Sequence, residues 1–292
     1  MFEGTYTALI TPFRNGSVDY DAFRALIDRQ IEGGVTGILP VGTTGESPTV
    51  TPEEHIEIIR VAVQQAEGKV QVVAGTGANS TAEAIHLTKA AEAEGATASL
   101  QVSPYYNKPS QEGLYQHYKA VASASSLPIM LYSVPGRAGI AIAPETAARL
   151  AQDCPTILSL KEAGGSVDRI NQLLQAVPEG FQLLSGDDPL TLPFMACGAV
   201  GLVSVASNII PEVMVKLVNL CTAGNFTEAL ALQKEHYPLM SGLMSLDTNP
   251  IPIKSAASLL GHCEAEFRLP LTPLPSTSQE SLKALLQGFK LL

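Results

Sequence analysis

One lysine follows directly on a short apolar segment and is the strongest candidate for a chemical role. Lys161 comes after Thr156 to Leu160, a segment rich in aliphatic residues that predicts a buried strand. Desolvation at a strand end disfavours the ammonium form, so we expect the pKa of the amine to fall toward neutrality. A neutral amine attacks ketones and can turn them into enamine nucleophiles. Lys161 therefore indicates covalent amine catalysis, although its position alone fits a lysine that extends into solvent equally well.

Two further segments carry side chains suited to an oxo acid. The Gly42–Glu46 loop combines the hydroxyls of Thr43 and Thr44 with backbone N–H groups, which suits a small carboxylate, but glycine and threonine also occur in ordinary turns. Tyr132 ends an apolar segment, and its phenol could carry protons if a hydroxyl such as that of Thr43 held it; the alternative is a tyrosine packed at a strand end. Arg137 could bind a second carboxylate or be a solvated loop residue.

Composition argues against several other classes of function. A net charge of −10 disfavours nucleic acid and anionic membranes as partners. The four cysteines contain no CxxC pair and the five histidines show no metal-binding spacing, so no metal site is predicted. Gly75 to Ser80 lacks the third glycine of a dinucleotide loop. Because no secretory leader and no membrane-length apolar segment are present, we expect a cytoplasmic protein.

Short apolar segments alternate with amphipathic ones, which predicts repeated βα units. Capping patterns at Thr51–Glu54 and Ser80–Glu83 mark helix starts, and glycines at 34, 68 and 95 mark helix ends. We interpret Asp187 and Asp188, which precede a proline, as helix caps. Eight strands are predicted, at Tyr6 to Thr11, Gly37 to Val41, Val70 to Gly75, Ala98 to Ser103, Ile129 to Ser133, Thr156 to Lys161, Phe181 to Ser185 and Gly201 to Val205.

Eight strands, each followed by a helix, predict an α/β fold of the (β/α)8 TIM barrel type. We assign residues 1–224 to this catalytic barrel and residues 225–292, which show helical periodicity only, to a C-terminal helical extension packed on it. In such a barrel the active site forms at the carboxyl ends of the strands. The reactive residues predicted there are Thr43, Thr44, Tyr105, Tyr106, Tyr132, Lys161 and the Gly186–Asp188 turn.

Together these segments resemble the class I pyruvate aldolase superfamily that contains the N-acetylneuraminate lyases. The likeness runs from Phe2 to Leu292. It is carried by Val41–Ser47, similar to the pyruvate-carboxylate loop, by Ser159–Ala163, similar to the Schiff-base strand, and by Gly186–Asp188. Within the superfamily, Pro104–Tyr115, Asn249–Lys254 and Arg137 resemble the dihydrodipicolinate synthase family.

The resemblance implies a division of catalytic labour. Lys161 would form a Schiff base with pyruvate, and Tyr132 would relay protons. Thr43 would link Tyr132 to Tyr106, which would be donated across a tight dimer interface, so that the enzyme would be a homodimer or homotetramer. No cofactor is implied beyond the covalent Schiff base.

The resemblance also implies how substrates are bound. Thr43 and Thr44 would hold the pyruvate carboxylate, and Arg137 the carboxylate of L-aspartate-4-semialdehyde. The backbone of Gly186 and Val203 would shape the pocket. The enamine would attack the semialdehyde, and the substrate amine would then displace Lys161 and close the ring, a step of diaminopimelate and lysine biosynthesis.

A lysine-effector site is implied as well. The residues that match its pattern are Ser47, His55, Asn79, Glu83 and Tyr105. Pro48 and Pro52 replace an alanine and a histidine of that pattern, so we predict that lysine binds weakly or not at all. Ser133, Gly136 and Ala138 also depart from the residues usual around the arginine, which bears on acceptor specificity.

Two alternatives remain at this point. A Schiff-base aldolase for neuraminate or a 2-keto-3-deoxy sugar acid would use the same Lys161 and Tyr132, but Arg137 suits a short charged acceptor better than a polyol. A barrel that binds an oxo acid without turnover would not need all the reactive residues that are present.

Overall fold

Eight parallel strands close into a barrel in the computed structural model, which describes residues 1–292. The strands are β1 (Gly4–Ala8), β4 (Gly37–Leu39), β5 (Gln71–Gly75), β6 (Ala98–Val102), β7 (Ile129–Ser133), β8 (Ile157–Glu162), β9 (Gln182–Ser185) and β10 (Gly201–Ser204). They pair in chain order, and β10 closes the barrel by pairing with β1. The predicted (β/α)8 TIM barrel is therefore confirmed.

The ends of the strands differ from the prediction by a few residues. Strand β1 ends at Ala8 because the Ile10 N–H donates to the side chain of Asn208 at 3.1 Å instead of to a neighbouring strand. After β1, the strands β2 (Phe13–Arg14) and β3 (Ser17–Val18) form a small antiparallel hairpin that was not predicted. Its turn, Asn15–Gly16, has positive φ at both residues, as Asn-Gly hairpin turns require.

Twelve helices surround and extend the barrel. They are α1 (Tyr20–Glu32), α2 (Pro52–Ala66), α3 (Thr81–Ala93), α4 (Gln111–Ala122), α5 (Pro135–Ala138), α6 (Pro144–Asp153), α7 (Val167–Ala176), α8 (Thr191–Ala196), α9 (Pro211–Thr222), α10 (Phe226–Ser245), α11 (Ile251–Leu259) and α12 (Ser276–Gly288). None combines the length and hydropathy that a membrane crossing requires.

The predicted helix starts are confirmed to different extents. At α2 both halves of the capping box form between Thr51 and Glu54. At α3 the Ser80 hydroxyl accepts from the Glu83 N–H, but the reciprocal bond is not made. The three predicted terminal glycines all have positive φ, so each closes its helix in the left-handed conformation.

Two apolar cores position the catalytic end of the barrel. Inside the cylinder, Tyr6, Leu100, Met130 and Leu184 are among the side chains that fill the interior below the mouth. Outside it, one continuous cluster joins the barrel helices to the extension, and it includes Leu217 of α9, Leu239 of α10, Ile253 of α11 and Leu282 of α12. Because the extension shares this core, α11 is held firmly beside the barrel mouth.

Candidate active site

The Lys161 amine lies inside the barrel mouth. Lys161 is only 6% exposed, on β8 directly beside Tyr132 of β7 in the strand register. Its Nζ lies 4.1 Å from the centre of the Tyr132 ring. Both residues line a cavity of about 650 Å³ that also borders Thr43 and Arg137. The alternative of a lysine extending into bulk solvent is therefore wrong.

Gly186 leaves the space that this lysine occupies. Gly186 follows β9 and lines the same cavity. A Cβ at this position would lie 2.8 Å from Lys161 Cε and 2.9 Å from the Ala163 Cβ. Carbon atoms in contact are normally about 3.5–4.0 Å apart. Any larger residue at 186 would therefore displace the lysine side chain.

The loop after β4 presents unpaired donors to the cavity. The backbone N–H groups of Thr43 and Thr44 donate to no other group of the chain, and both residues line the cavity. The loop is closed by hydrogen bonds from Gly45 N–H and Ser47 N–H to the Gly42 carbonyl, at 3.1 and 3.3 Å. Free N–H groups beside hydroxyls form an anion-binding concavity. The loop thus offers free donors beside the cavity, and its binding of a carboxylate stays a prediction.

The Thr44 hydroxyl is oriented from the C-terminal extension. The Asn249 side-chain amide donates to Thr44 Oγ1 at 3.0 Å. Since the oxygen already accepts this bond, the Thr44 O–H is available to donate to a ligand. Asn249 lines the cavity itself.

Arg137 is held by the same segment of the extension. It lies on the single turn α5, and its Nη2 donates to the Asn249 carbonyl at 2.8 Å and to Thr248 Oγ1 at 3.4 Å. The guanidinium borders the cavity. The lysine therefore shares one cavity with two groups that suit carboxylates, the threonine loop and Arg137.

Tyr106 does not join this cavity within one chain. It is 90% exposed, has a φ of 72°, and borders a separate shallow depression beside Arg137 and Gly139. The Tyr132 phenol forms no hydrogen bond within the chain. A relay from Tyr132 through Thr43 to Tyr106 is consequently not closed in the monomer, and a partner chain that supplies Tyr106 stays a prediction.

The expectation that Asp187 and Asp188 cap the following helix needs correction. The carboxylate of Asp188 accepts from the N–H groups of Val205 and Ala206 at 3.0 and 2.9 Å, so it caps the turn after β10 and not its own helix. Asp187 also makes no cap; it lines the cavity, and burial together with the Asp188 charge raises its pKa to about 6. Val203 is buried in the barrel interior, and Val205, after the end of β10, lines the cavity; a contribution of the Val203 backbone to the pocket stays a prediction.

Comparison with known proteins identifies the origin of this arrangement. The sequence profile described as the Dihydrodipicolinate synthetase family matches residues 1–289. The chain belongs to this family. It is 48% identical over 292 residues to the 4-hydroxy-tetrahydrodipicolinate synthase of Endomicrobium trichonymphae, and the alignment covers 100% of both chains.

Solved structures agree with the family assignment. The 4-hydroxy-tetrahydrodipicolinate synthase of the thermoacidophilic methanotroph Methylacidiphilum fumariolicum SolV matches with a TM-score of 0.98 at 52% identity, covering 99% of this chain and 96% of that one. The chloride-inhibited dihydrodipicolinate synthase of Acinetobacter baumannii, complexed with pyruvate, matches with a TM-score of 0.97 at 42% identity over 100% of both chains. The predicted resemblance and the predicted class I aldolase-type lyase are confirmed, and the sugar-acid alternative is disfavoured.

The residues that match the effector pattern of the dihydrodipicolinate synthase family lie near one another. Ser47 and Tyr105 line a smaller cavity of about 230 Å³, which shares Thr43 and Tyr132 with the larger one. The Asn79 side chain donates to the Tyr105 carbonyl at 3.2 Å. A lysine-sized ligand placed here would lie close to the catalytic loop.

The remaining two residues of the effector pattern, His55 and Glu83, lie beside residues that line the same cavity. The His55 ring contacts the carbonyl of Gly75, a lining residue, at 2.8 Å, and burial lowers the pKa of His55. Burial and then the Glu83 carboxylate raise the pKa of Tyr105, which indicates that Glu83 is near its phenol. Pro48 borders the cavity as well. The effector role of these residues stays a prediction.

Sequence reasoning missed the contribution of the extension. Asn249 and Lys254 were noticed only as part of a family-like motif and Thr248 was not noticed at all, yet each contacts a residue at the barrel mouth. One sequence feature could have indicated these contacts: an asparagine and a lysine flank the apolar segment Pro250–Ile253.

Proposed function

We propose that the chain is a 4-hydroxy-tetrahydrodipicolinate synthase that condenses pyruvate with L-aspartate-4-semialdehyde through a Schiff base on Lys161. The observation that carries the proposal is the buried Lys161 amine in one cavity with two groups that suit carboxylates. Pyruvate brings one carboxylate next to its ketone, and the semialdehyde brings a second. The similarity to named synthases over the full chain supports the same reaction.

The first half of the reaction activates pyruvate. The free N–H groups and hydroxyls of Thr43 and Thr44 bind its carboxylate, which directs the ketone toward Lys161 Nζ. The amine adds to the ketone carbon, and loss of water gives the iminium. Tyr132 is proposed to protonate the departing hydroxyl, and the contact of its ring with Lys161 Nζ supports this role. Loss of a proton from the methyl carbon then gives the enamine.

The second half forms the product. The enamine carbon attacks the aldehyde carbon of the semialdehyde, whose carboxylate is held by Arg137. The aldehyde oxygen takes up a proton and becomes the hydroxyl of the product. The substrate amine then adds to the iminium carbon, and the Lys161 amine leaves. One water is released overall, and neither redox change nor cofactor is needed.

We propose further that two chains share each site, in a homodimer or homotetramer. The exposed Tyr106 supports this assembly, because an apolar ring with 90% exposure and a left-handed backbone gains burial only from a partner. Lysine is proposed to bind weakly or not at all, since Pro48 and Pro52 replace polar or small residues of the effector pattern. Inhibition of turnover at micromolar lysine would contradict that proposal.

Reduction with borohydride tests the proposed chemistry. Incubation with pyruvate and borohydride is expected to add one reduced pyruvyl group to Lys161, detected by peptide mass spectrometry. Lys161→Met should abolish the adduct, whereas Lys216→Met, at an exposed position on α9, should not. Absence of an adduct on the wild-type chain would refute the Schiff base.

Substrate comparison on the same preparation tests the acceptor. Turnover with pyruvate and L-aspartate-4-semialdehyde is expected to exceed cleavage of neuraminate or 2-keto-3-deoxygluconate. The reverse order would favour a sugar-acid aldolase. An adduct without turnover of any of these substrates would indicate a binding protein.

A further inference from the structure

A second lysine is buried more deeply than Lys161 and takes no part in the proposed chemistry. Lys254 of α11 and Glu46 are both 0% exposed, and Lys254 Nζ lies 2.7 Å from Glu46 Oε1. The amine also lies 4.0 Å from the centre of the Phe13 ring and 5.1 Å from that of Phe267. Lys254 borders no part of the catalytic cavity. Since a buried ion pair rarely stabilises a fold more than apolar residues of the same volume would, its position suggests another role.

The acidic partner is the last residue of the carboxylate loop. Glu46 has a φ of 55°, and its N–H donates to the Thr43 carbonyl at 3.1 Å. Val41, just before the loop, also has a positive φ of 48°. A valine or glutamate in the left-handed region persists only where the surroundings enforce it. The buried contact with Lys254 is such a constraint on Glu46.

The other contacts of the loop point in the same direction. The Thr11 hydroxyl donates to the Gly45 carbonyl at 2.6 Å from the barrel side. From the extension, Asn249 donates to Thr44 Oγ1, and Lys254 follows it by five residues. The loop that carries Thr43 and Thr44 is thus fixed at both its middle and its end by a single segment of the extension.

We propose that Lys254 and Glu46 are positioning residues, whose ion pair keeps the free N–H groups of Thr43 and Thr44 turned into the cavity and thereby sets the affinity for the oxo-acid carboxylate. The inference rests on the proposed function, since that carboxylate is taken to be the one of pyruvate. A pair that served only to dock the extension on the barrel would affect stability and leave the affinity unchanged.

A double variant separates these two roles. Glu46→Gln with Lys254→Met removes both charges, keeps the side-chain volumes similar and leaves no buried charge unpaired. The matched control is Glu54→Gln with Arg268→Met, because this pair, 2.6 Å apart, also joins the extension to the barrel but borders no part of the cavity. Melting temperatures establish that both variants are folded before their kinetics are compared.

The expected result is a rise in the KM for pyruvate on the order of tenfold to hundredfold in the Glu46/Lys254 double variant. The kcat at saturating pyruvate should stay within about threefold of the wild type, because a loss of uniform binding raises KM alone. Pyruvate should also raise the melting temperature of this variant less than that of the wild type. The Glu54/Arg268 control should keep the wild-type KM.

Other outcomes overturn the inference. A folded Glu46/Lys254 double variant with the wild-type KM for pyruvate contradicts it, and so does an equal rise of KM in the control. If the double variant does not fold, Glu46→Gln alone serves, since it keeps the side-chain volume but removes the carboxylate charge and with it the ion pair; an unchanged KM there also contradicts the proposal. Failure of the wild type to form a pyruvate adduct would instead refute the proposed function, so the two failures are distinguishable.

Discussion

Replacement of Gly186 by alanine tests whether empty space beside the lysine sets the position of the amine. The added methyl would lie 2.8 Å from Lys161 Cε and 3.1 Å from Lys161 Cγ. A carbon contact needs about 3.8 Å, so the lysine side chain must move by about 1 Å. The methyl would also meet the Ala163 Cβ at 2.9 Å, which limits relief by a shift of the substituted residue itself.

A displacement of about 1 Å has a large kinetic cost. Misplacement of a reacting group by this distance lowers rates on the order of a hundredfold, which corresponds to about 2.7 kcal/mol of activation free energy. The same overpacking should lower the free energy of unfolding by about 1–3 kcal/mol. Gly186→Ala is therefore expected to fold and yet to form the pyruvate adduct about a hundredfold more slowly.

The rate of borohydride-trapped adduct at saturating pyruvate is the appropriate measurement, since it isolates attack by the amine from the later steps. Gly136→Ala is the control, because Gly136 lines the same cavity but a Cβ there would meet nothing within 4 Å. A folded Gly186→Ala protein that forms the adduct within about threefold of the wild-type rate would refute the reasoning.

Three further predictions follow from the same geometry. Tyr132→Phe should lower kcat by about 10²–10⁴-fold in a turnover assay. The control is Tyr115→Phe, on the outer helix α4. A kcat of Tyr132→Phe within tenfold of wild type would exclude proton transfer by the phenol. Equal mixing of inactive Lys161→Met and Tyr106→Ala chains should restore about a quarter of wild-type activity if Tyr106 is donated by a partner, and no recovery after subunit exchange would exclude sharing. Burial lowers the pKa of His117 to about 4, below the value of about 6.5 in an unfolded chain. Protonation of His117 therefore favours unfolding as the pH falls from 6.5 to 4. The melting temperature should fall less between pH 7 and pH 4.5 for His117→Gln than for the wild type. An equal fall in both proteins would contradict the assignment.

Local patterns predicted the framework because they are written in consecutive residues. The segment that leads to Lys161 in β8 is mostly apolar, and the start of α2 is a capping box between Thr51 and Glu54; both are properties of a few neighbouring positions. The position of Lys161 at the mouth then follows from the rule that barrel strands present their carboxyl ends together. The residues proposed to act in catalysis could therefore be predicted from the sequence.

Contacts between distant segments could not be predicted from such local patterns. The carboxylate of Asp188 caps a turn 17 residues away, and Asn208 ends β1 from a distance of 198 residues. Val203 and Val205 have the same residue type, but Val203 lies in β10 and Val205 follows its end in a helical conformation, so only the exact end of the strand distinguishes them. The exposure of Tyr106 depends on a loop conformation with positive φ that a tyrosine does not signal.

The division of the chain at residue 224 follows a change of sequence pattern, but the candidate site contains residues from both sides of it. The barrel supplies the amine of Lys161 and the phenol of Tyr132, which are proposed to act on the ketone. The groups that suit the two carboxylates also belong to the barrel, yet Thr44 and Arg137 both take their orientation from Asn249. Asn249 directly precedes Pro250 and α11, and α11 shares the apolar core of the outer helices, so the orientation of both groups depends on the packing of the extension. The extension therefore contributes to the positions of both groups that suit carboxylates.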